Sequence, residues 1–153
     1  MNSLFRFSPD AVTSVAAADK PAILLALAER LSVSYALDHD AVLEGLEERE
    51  KLGSTGFGRG VALPHARIDL VDRPVVALLR LATPVDFGAA DGMPVDLVFG
   101  LLSPSGAGAT HLRALAAISR LVRDEEIHRH LIEAPGNDAA YAMLTDAVDR
   151  DAA

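Results

Sequence analysis

Apolar residues recur at helical spacing in several stretches of the chain. The clearest stretch follows Asp19 and Pro21, and its stripe consists of Ile23, Leu24, Leu27 and Leu31. Asp19 is a suitable N-cap, and proline is tolerated in the first turn of a helix. A second helix is predicted from Asp38 or Asp40, ending at Gly53. Its apolar stripe consists of Val42, Leu43 and Leu46.

Two continuous apolar runs predict β-strands. They cover residues 75–81 and 95–102, and Ser103 and Pro104 stop the second one. Strands of this kind are usually buried on both faces, which implies that helices cover both sides of the sheet. Residues 12–15 are a candidate edge strand.

The C-terminal third predicts three more helices. Thr110 is expected to cap the first of them. The inner face of that helix is expected to hold Leu112, Leu115, Ile118, Leu121 and Val122. A short helix follows over 124–131, and a last helix, capped by Asn137, runs over 137–148. The tail at 149–153 is expected to fray.

The alternation of helices and strands predicts an α/β fold, with a mixed β-sheet flanked by helices on both faces. One domain is expected over residues 1–153, with about ten residues at the start and about five at the end poorly defined. The chain contains no cysteine, which excludes disulfides, thiolate metal sites and cysteine nucleophiles.

Charge and hydropathy predict where the protein is located and which partners it does not bind. The start lacks a basic region followed by an apolar core, so we expect no signal peptide. Arg80 and Asp96 interrupt the best apolar runs, so we expect a cytoplasmic protein without stable membrane insertion. The net charge of −8 argues against nucleic-acid binding, although residues 49–73 carry five cations and three acids.

That positive window contains a glycine-rich loop, a short apolar strand, and then Pro64 and His65. The glycines of the loop, which let backbone N–H groups converge on an anion, are Gly53, Gly56, Gly58 and Gly60. Ser54 and Thr55 add hydroxyl donors. A neutral imidazole can attack phosphorus, so the segment suggests that His65 carries a phosphate. The alternative for a single histidine is a packing or surface role.

Two other residues are candidates for the same chemistry. His111 is expected in the first turn of a helix, where the positive helix end opposes protonation and attracts phosphate. Spacing alone nevertheless favours an exposed residue that opens the helix. Arg49 could brace a phosphate or complement the helix dipole, and both readings stay open. Arg59 and Arg67 are better suited to guiding a partner.

Other motifs are weaker. The glycines of residues 53–60 resemble the start of a nucleotide-binding P-loop, but the Lys-Ser/Thr pair and the following helix are missing. His128 and His130 lie two apart on a predicted helix, so we expect a solvated pair and no metal site. Asp96 is expected to bind a neighbouring loop.

Four blocks of sequence carry a family resemblance: Arg49–Gly56, Ala62–His65, Pro94–Phe99 and Thr110–Leu112. They are similar to the mannitol/fructose-type enzyme IIA domain of the phosphoenolpyruvate-dependent phosphotransferase system. The similarity extends from about residue 21 to residue 144 and is strongest to the nitrogen-regulatory members.

The resemblance implies a phosphotransferase component that carries phosphohistidine and is not a stand-alone turnover enzyme. His65 would accept phosphate through Nε2, and Arg49 and His111 would belong to the same site. The residues that would line this site are Ser54 and Thr55, beside Gly56. The donor would be a small histidine phosphocarrier protein, charged by a kinase that uses phosphoenolpyruvate. No metal or cofactor is expected.

The nitrogen-regulatory members act through partners that depend on phosphorylation state, whereas transport members pass phosphate to an enzyme IIB. The Gly-Ser-Thr-Gly loop and the free-standing length favour the regulatory branch, and sugar transport remains the alternative. Ala66 stands where glycine is common in the family. A pure binding module, in which His65 is never phosphorylated, and a phosphate-ester hydrolase are the remaining hypotheses.

Overall fold

A computed structural model describes residues 4–152 of the chain. Within that range one strand is followed by two helices, then by five strands and finally by three helices. The strands are β1 (Arg6–Val15), β2 (Gly56–Gly58), β3 (Val61–Ala62), β4 (His65–Ile68), β5 (Val75–Val85) and β6 (Val95–Pro104). The helices are α1 (Lys20–Tyr35), α2 (His39–Lys51), α3 (Gly108–Val122), α4 (Glu125–Glu133) and α5 (Asn137–Ala152).

The strands form one mixed sheet in the order β1-β5-β6-β3-β2, and β4 also pairs with β6. β1 runs parallel to β5, and β3 and β4 run parallel to β6. The pairs β5–β6 and β2–β3 are antiparallel. The predicted mixed sheet is therefore confirmed. The predicted edge strand is also confirmed, and it begins earlier than expected, at Arg6.

Alternate residues of the central strands supply two separate cores. Leu78 and Phe99 belong to the core covered by α3, α4 and α5, whereas Leu79 and Val98 belong to the core covered by α1 and α2. This division follows from the two-residue period of a strand. Both faces of the sheet are thus covered, as the apolar runs predicted.

The predicted starts of α1, α2 and α4 are confirmed by their caps. The Asp19 carboxylate accepts from the N–H of Ala22, and the Asp38 carboxylate accepts from the N–H of Ala41. Asp124 caps α4 in the same way. Each acid satisfies backbone donors that a helix start leaves unpaired.

The prediction for the start of α3 is wrong. The helix begins at Gly108, so Thr110 lies inside the first turn and no side chain caps it. Leu112, expected on the inner face, is 65% exposed. It follows His111 by one residue, which rotates its side chain by about 100° around the helix, away from the sheet. The buried face consists of His111, Ala114, Ala117, Ile118, Leu121 and Val122.

Asn137 does not act as the predicted cap of α5. It is the first helical residue, and its side-chain oxygen accepts hydrogen bonds from the Arg80 guanidinium and the Ser14 hydroxyl. Arg80 also donates to two carbonyls near the end of α4, so this strand residue joins the sheet to both helices. α5 continues over the predicted tail as far as Ala152, and the fraying of that tail stays a prediction.

Close packing of α1 on β6 leads to a first prediction. A Cβ at Gly100 would lie 2.6 Å from Cδ1 of Leu27, whose side chain is fully buried and cannot move aside. We expect Gly100→Ala to lower the free energy of unfolding by about 1–3 kcal/mol in urea denaturation. Gly108→Ala is the control, since its added methyl would be 3.7 Å from the Arg67 guanidinium, an ordinary van der Waals distance. Equal effects of the two changes would contradict the packing argument.

Candidate functional site

A break in a strand positions His65. Residues 61–68 run beside β6 in one parallel register, with Val61 opposite Leu97 and His65 opposite Leu101, and between β3 and β4 the carbonyl of Pro64 accepts from the N–H of Leu101. Pro64 has no N–H to give to the sheet. The N–H of the residue before it, Leu63, donates to the carbonyl of Thr55.

The carbonyl of Leu63 lies at that break and is 2.7 Å from Nδ1 of His65. A carbonyl oxygen only accepts, so Nδ1 carries the hydrogen and donates it. In the neutral ring Nε2 then keeps its lone pair. Burial lowers the pKa of His65, and the charge of Arg49 lowers it further, against the opposing effects of the Leu63 bond and of Glu50. The neutral nucleophile is therefore favoured at neutral pH.

His111 lies beside His65, at the start of α3. The two ring centroids are 5.5 Å apart, and the ring planes are inclined at 42°. His111 is buried, so the reading of it as an exposed residue is wrong. Its Nδ1 is 2.7 Å from Oγ of Ser103. Burial lowers the pKa of His111, and the charges of His65 and Arg67 lower it further.

The two histidines open into a cleft of about 920 Å³ between α2 and α3. Two arginines also line this cleft: Arg49, which precedes His65 in the sequence, and Arg67, which follows it. The guanidinium of Arg49 donates to the carbonyl of Gly53 at 2.9 Å, so this residue also holds the loop after α2. Arg59 lies outside the cleft, where it donates to a carbonyl at the end of α3. The three residues expected around the phosphate, Arg49, His65 and His111, are thus brought together.

The loop of Ser54, Thr55 and Gly56 lies next to His65, and the four residues line a smaller pocket of about 220 Å³. The Ser54 hydroxyl donates to the carbonyl of Phe87 and accepts from the N–H of Gly56. The N–H and hydroxyl of Thr55 both donate to Glu50. These donors are therefore used within the chain, and their contact with a phosphate remains a prediction.

Glu50 is a residue of the site region that the sequence reasoning missed. Its side chain is 5% exposed and binds Lys20 at 2.8 Å as well as Thr55. It continues the buried spacing of Val42 and Leu46 on α2, and this periodicity could have revealed it. Glu50 ties the ends of two helices to the loop beside His65.

The prediction for His128 is wrong. Its Nε2 is 2.8 Å from a carboxylate oxygen of Asp96, so it joins α4 to β6. Asp96 was expected to bind a loop, but its side chain binds this helix. His130 is exposed. Within residues 4–152 no three side chains of histidine, aspartate or glutamate are grouped to hold a metal ion, and no helix is long and apolar enough to cross a membrane.

One cleft thus holds two neighbouring imidazoles and two arginines, in a chain whose mixed sheet lies between helical layers. Residues 7–147 match the family described as the phosphoenolpyruvate-dependent sugar phosphotransferase system, EIIA 2. The chain therefore belongs to this family, and the resemblance found in the sequence is confirmed.

Known relatives come from two branches. A nitrogen regulatory protein of Bradyrhizobium diazoefficiens is 49% identical over 104 residues, which are 68% of each chain. A fructose-specific EIIA component of the phosphotransferase system of Haloferax volcanii is 39% identical over 112 residues, 73% of each chain. The solved structure of the nitrogen regulatory protein IIA-Ntr of Neisseria meningitidis is similar with a TM-score of 0.84 at 33% identity, covering 90% of this chain and 95% of that one.

The network around Glu50 leads to a second prediction. Glu50→Gln removes a buried carboxylate that binds Thr55 and Lys20, and it places an amide N–H₂ among donors. We expect the free energy of unfolding to fall by about 1–3 kcal/mol. Glu47→Gln, on the exposed side of α2, is the matched control and should change stability by less than about 0.5 kcal/mol. If Glu50→Gln leaves the free energy of unfolding unchanged in urea denaturation, the structural role of Glu50 is refuted.

A third prediction concerns the pKa of His65. In an NMR titration it should lie below the ordinary value of about 6.5. Arg49→Gln should raise it, because a nearby positive charge that opposes protonation is removed. Arg113→Gln, an exposed change on α3, should leave the titration unchanged.

The lowered pKa values of the two histidines also predict how the free energy of unfolding changes with pH. The pKa values of His65 and His111 are lowered on folding, so the unfolded chain binds more protons below about pH 6.5. The two histidines make their full contribution to the free energy of unfolding above that pH. This contribution should be lost as the pH falls through about 6.5 toward the pKa values of the folded chain. The double change of both residues to glutamine should remove this part of the pH dependence, whereas His130→Gln should retain it. A higher pKa of His65 than in the unfolded chain would contradict the prediction.

Proposed function

We propose that the chain is a cytoplasmic phosphocarrier and regulator that is reversibly phosphorylated on Nε2 of His65. The donor is a small histidine phosphocarrier protein, charged by a kinase that uses phosphoenolpyruvate. The observation that carries the proposal is the hydrogen bond from Nδ1 of His65 to the Leu63 carbonyl. It leaves Nε2 as the free nucleophile beside a cleft that His111 and Arg49 share.

The transfer is an in-line displacement at phosphorus. The lone pair of His65 Nε2 forms the new N–P bond while the N–P bond of the donor phosphohistidine breaks, and the donor nitrogen keeps that electron pair. Positive charge develops on the His65 ring, and the Leu63 carbonyl stabilises it through the bond to Nδ1. His111 stabilises the negative charge on the equatorial oxygens.

The remaining residues act around this reaction. Arg49 holds the loop after α2 and helps to keep His65 neutral. The loop residues Ser54, Thr55 and Gly56 are assigned to lining and shaping the phosphate pocket, since their donors have partners within the chain.

Partner choice that depends on phosphorylation follows from the charges of the cleft. A phosphate adds about two negative charges at neutral pH. It would stand between Arg49 and Arg67 on one hand and the acidic Glu44 and Glu48 of α2 on the other. The formal charges of these two arginines and two glutamates cancel, so the phosphate would make this surface negative, which can repel one partner and recruit another. The 49% identity to a nitrogen regulatory protein supports a regulatory output.

Sugar transport is the second candidate. The relative from Haloferax volcanii is named a fructose-specific EIIA component, at 39% identity. In that case phosphohistidine at position 65 would be passed to an enzyme IIB. Measured flow of phosphate to an enzyme IIB in a sugar-uptake assay would decide for this candidate over regulation as the sole function.

A fourth prediction tests the acceptor. The chain is incubated with phosphoenolpyruvate, the upstream kinase and the histidine phosphocarrier protein, and the acid-labile phosphate is measured by intact-protein mass spectrometry. We expect one phosphoryl group on the wild type and none on His65→Ala. His111→Ala should slow labelling roughly 100-fold, the usual effect of removing one charge-stabilising donor.

His130→Gln is the matched control, because this exposed histidine lies on α4, outside the cleft. It should be labelled at the wild-type rate. Full labelling of His65→Ala, or no labelling of the wild type, would refute the proposed acceptor. Pull-downs with the phosphorylated and unphosphorylated chain would then identify the partners that the phosphate switches.

A further inference from the structure

Ser103 is a fully buried polar residue near the end of β6, where it pairs with Arg67 of β4. Its hydroxyl oxygen is 2.7 Å from Nδ1 of His111. Within residues 4–152 this is the hydrogen bond that the hydroxyl makes. The sequence reasoning treated Ser103 only as the point where an apolar strand stops.

The bond can be formed in two directions, and burial distinguishes them. If Nδ1–H of His111 donated to Ser103, the hydroxyl hydrogen would be left without an acceptor in a fully buried place. A buried donor without a partner destabilises a fold. If Ser103 donates its hydrogen to Nδ1, both groups are satisfied by one bond. The second direction is therefore favoured.

We propose that Ser103 is a positioning residue that holds the proton of neutral His111 on Nε2. The proposal rests on the proposed function for its chemical meaning, since Nε2–H is then the donor offered to phosphate oxygens at His65. The neighbouring His65 has the opposite tautomer, because the Leu63 carbonyl takes its Nδ1–H. Two adjacent imidazoles are thus prepared for different tasks, one as a nucleophile and one as a hydrogen-bond donor.

The neutrality of both rings supports this division. Burial lowers the pKa of His111, and it is lowered further by the charge of His65 when that ring is protonated and by the charge of Arg67. The groups that face His111 are Ser103, His65 and Arg67, and none of them is an acid that would favour the doubly protonated ring. A neutral ring carries one proton, so the partner of Nδ1 decides where that proton lies.

A fifth prediction is that nitrogen NMR of the full chain, in the absence of phosphate, detects the proton of His111 on Nε2 and that of His65 on Nδ1. Ser103→Ala removes the donor to Nδ1, so the His111 signals should shift towards a mixture of tautomers. Ser103→Thr keeps a hydroxyl and should retain the wild-type tautomer. Ser105→Ala is the matched control, because that serine is exposed and lies in the same connection.

The second readout is the rate at which the phosphocarrier protein labels His65. Ser103→Ala should slow labelling roughly 10-fold, a part of the roughly 100-fold loss expected when the whole His111 donor is removed. Ser103→Thr should restore the rate, and Ser105→Ala should not change it. Circular dichroism and urea denaturation of each variant show whether the fold is retained.

The outcomes separate the two proposals. A proton on Nδ1 of His111 in the wild type, or an unchanged tautomer in Ser103→Ala, overturns the role of Ser103. A shifted tautomer with an unchanged labelling rate also overturns it, because positioning would then have no consequence. If the wild type is never labelled, the proposed function fails, while the NMR measurement still decides the direction of the Ser103 bond.

Discussion

The hydrogen bond between Nδ1 of His65 and the carbonyl of Leu63 is the constraint on which the site depends. It lies where β3 gives way to β4, next to Pro64, which has no N–H to donate but still accepts from Leu101 of β6 through its carbonyl. The bond fixes the ring orientation and the tautomer together. A side chain held to its own strand in this way needs little reorganisation to react.

The fold provides the rest of the site by holding α2 and α3 on opposite faces of the sheet. On the α2 side, a Cβ at Gly45 would be 3.1 Å from Cγ2 of Ile68, so the helix approaches β4 closely. This approach places Arg49 at the cleft. On the other side, the buried face of α3 includes His111 among its apolar residues. The cleft is therefore a consequence of two separate cores meeting at one sheet edge.

Electrostatics and hydrogen bonding act together on the two imidazoles. Burial keeps both neutral, and each ring has one nitrogen bound to a defined partner, the Leu63 carbonyl or the Ser103 hydroxyl. The Glu50 network rigidifies the neighbouring loop without placing a free acid in the cleft. A phosphate would thus meet a preorganised polar environment, which is the arrangement that stabilises developing charge most effectively.

The sequence by itself determined the α/β class, the caps at Asp19 and Asp38 and the family, because periodicity, capping and separated motifs are local patterns. It indicated His65 as a phosphate carrier, and for His111 the helical spacing favoured exposure whereas the family resemblance implied a place in the site. Burial of the His111 ring, and the partners of Glu50 and His128, depend on how distant elements pack. Only the tertiary structure decided them, since a hydrogen bond such as Ser103 to His111 requires a strand and a helix to meet in space.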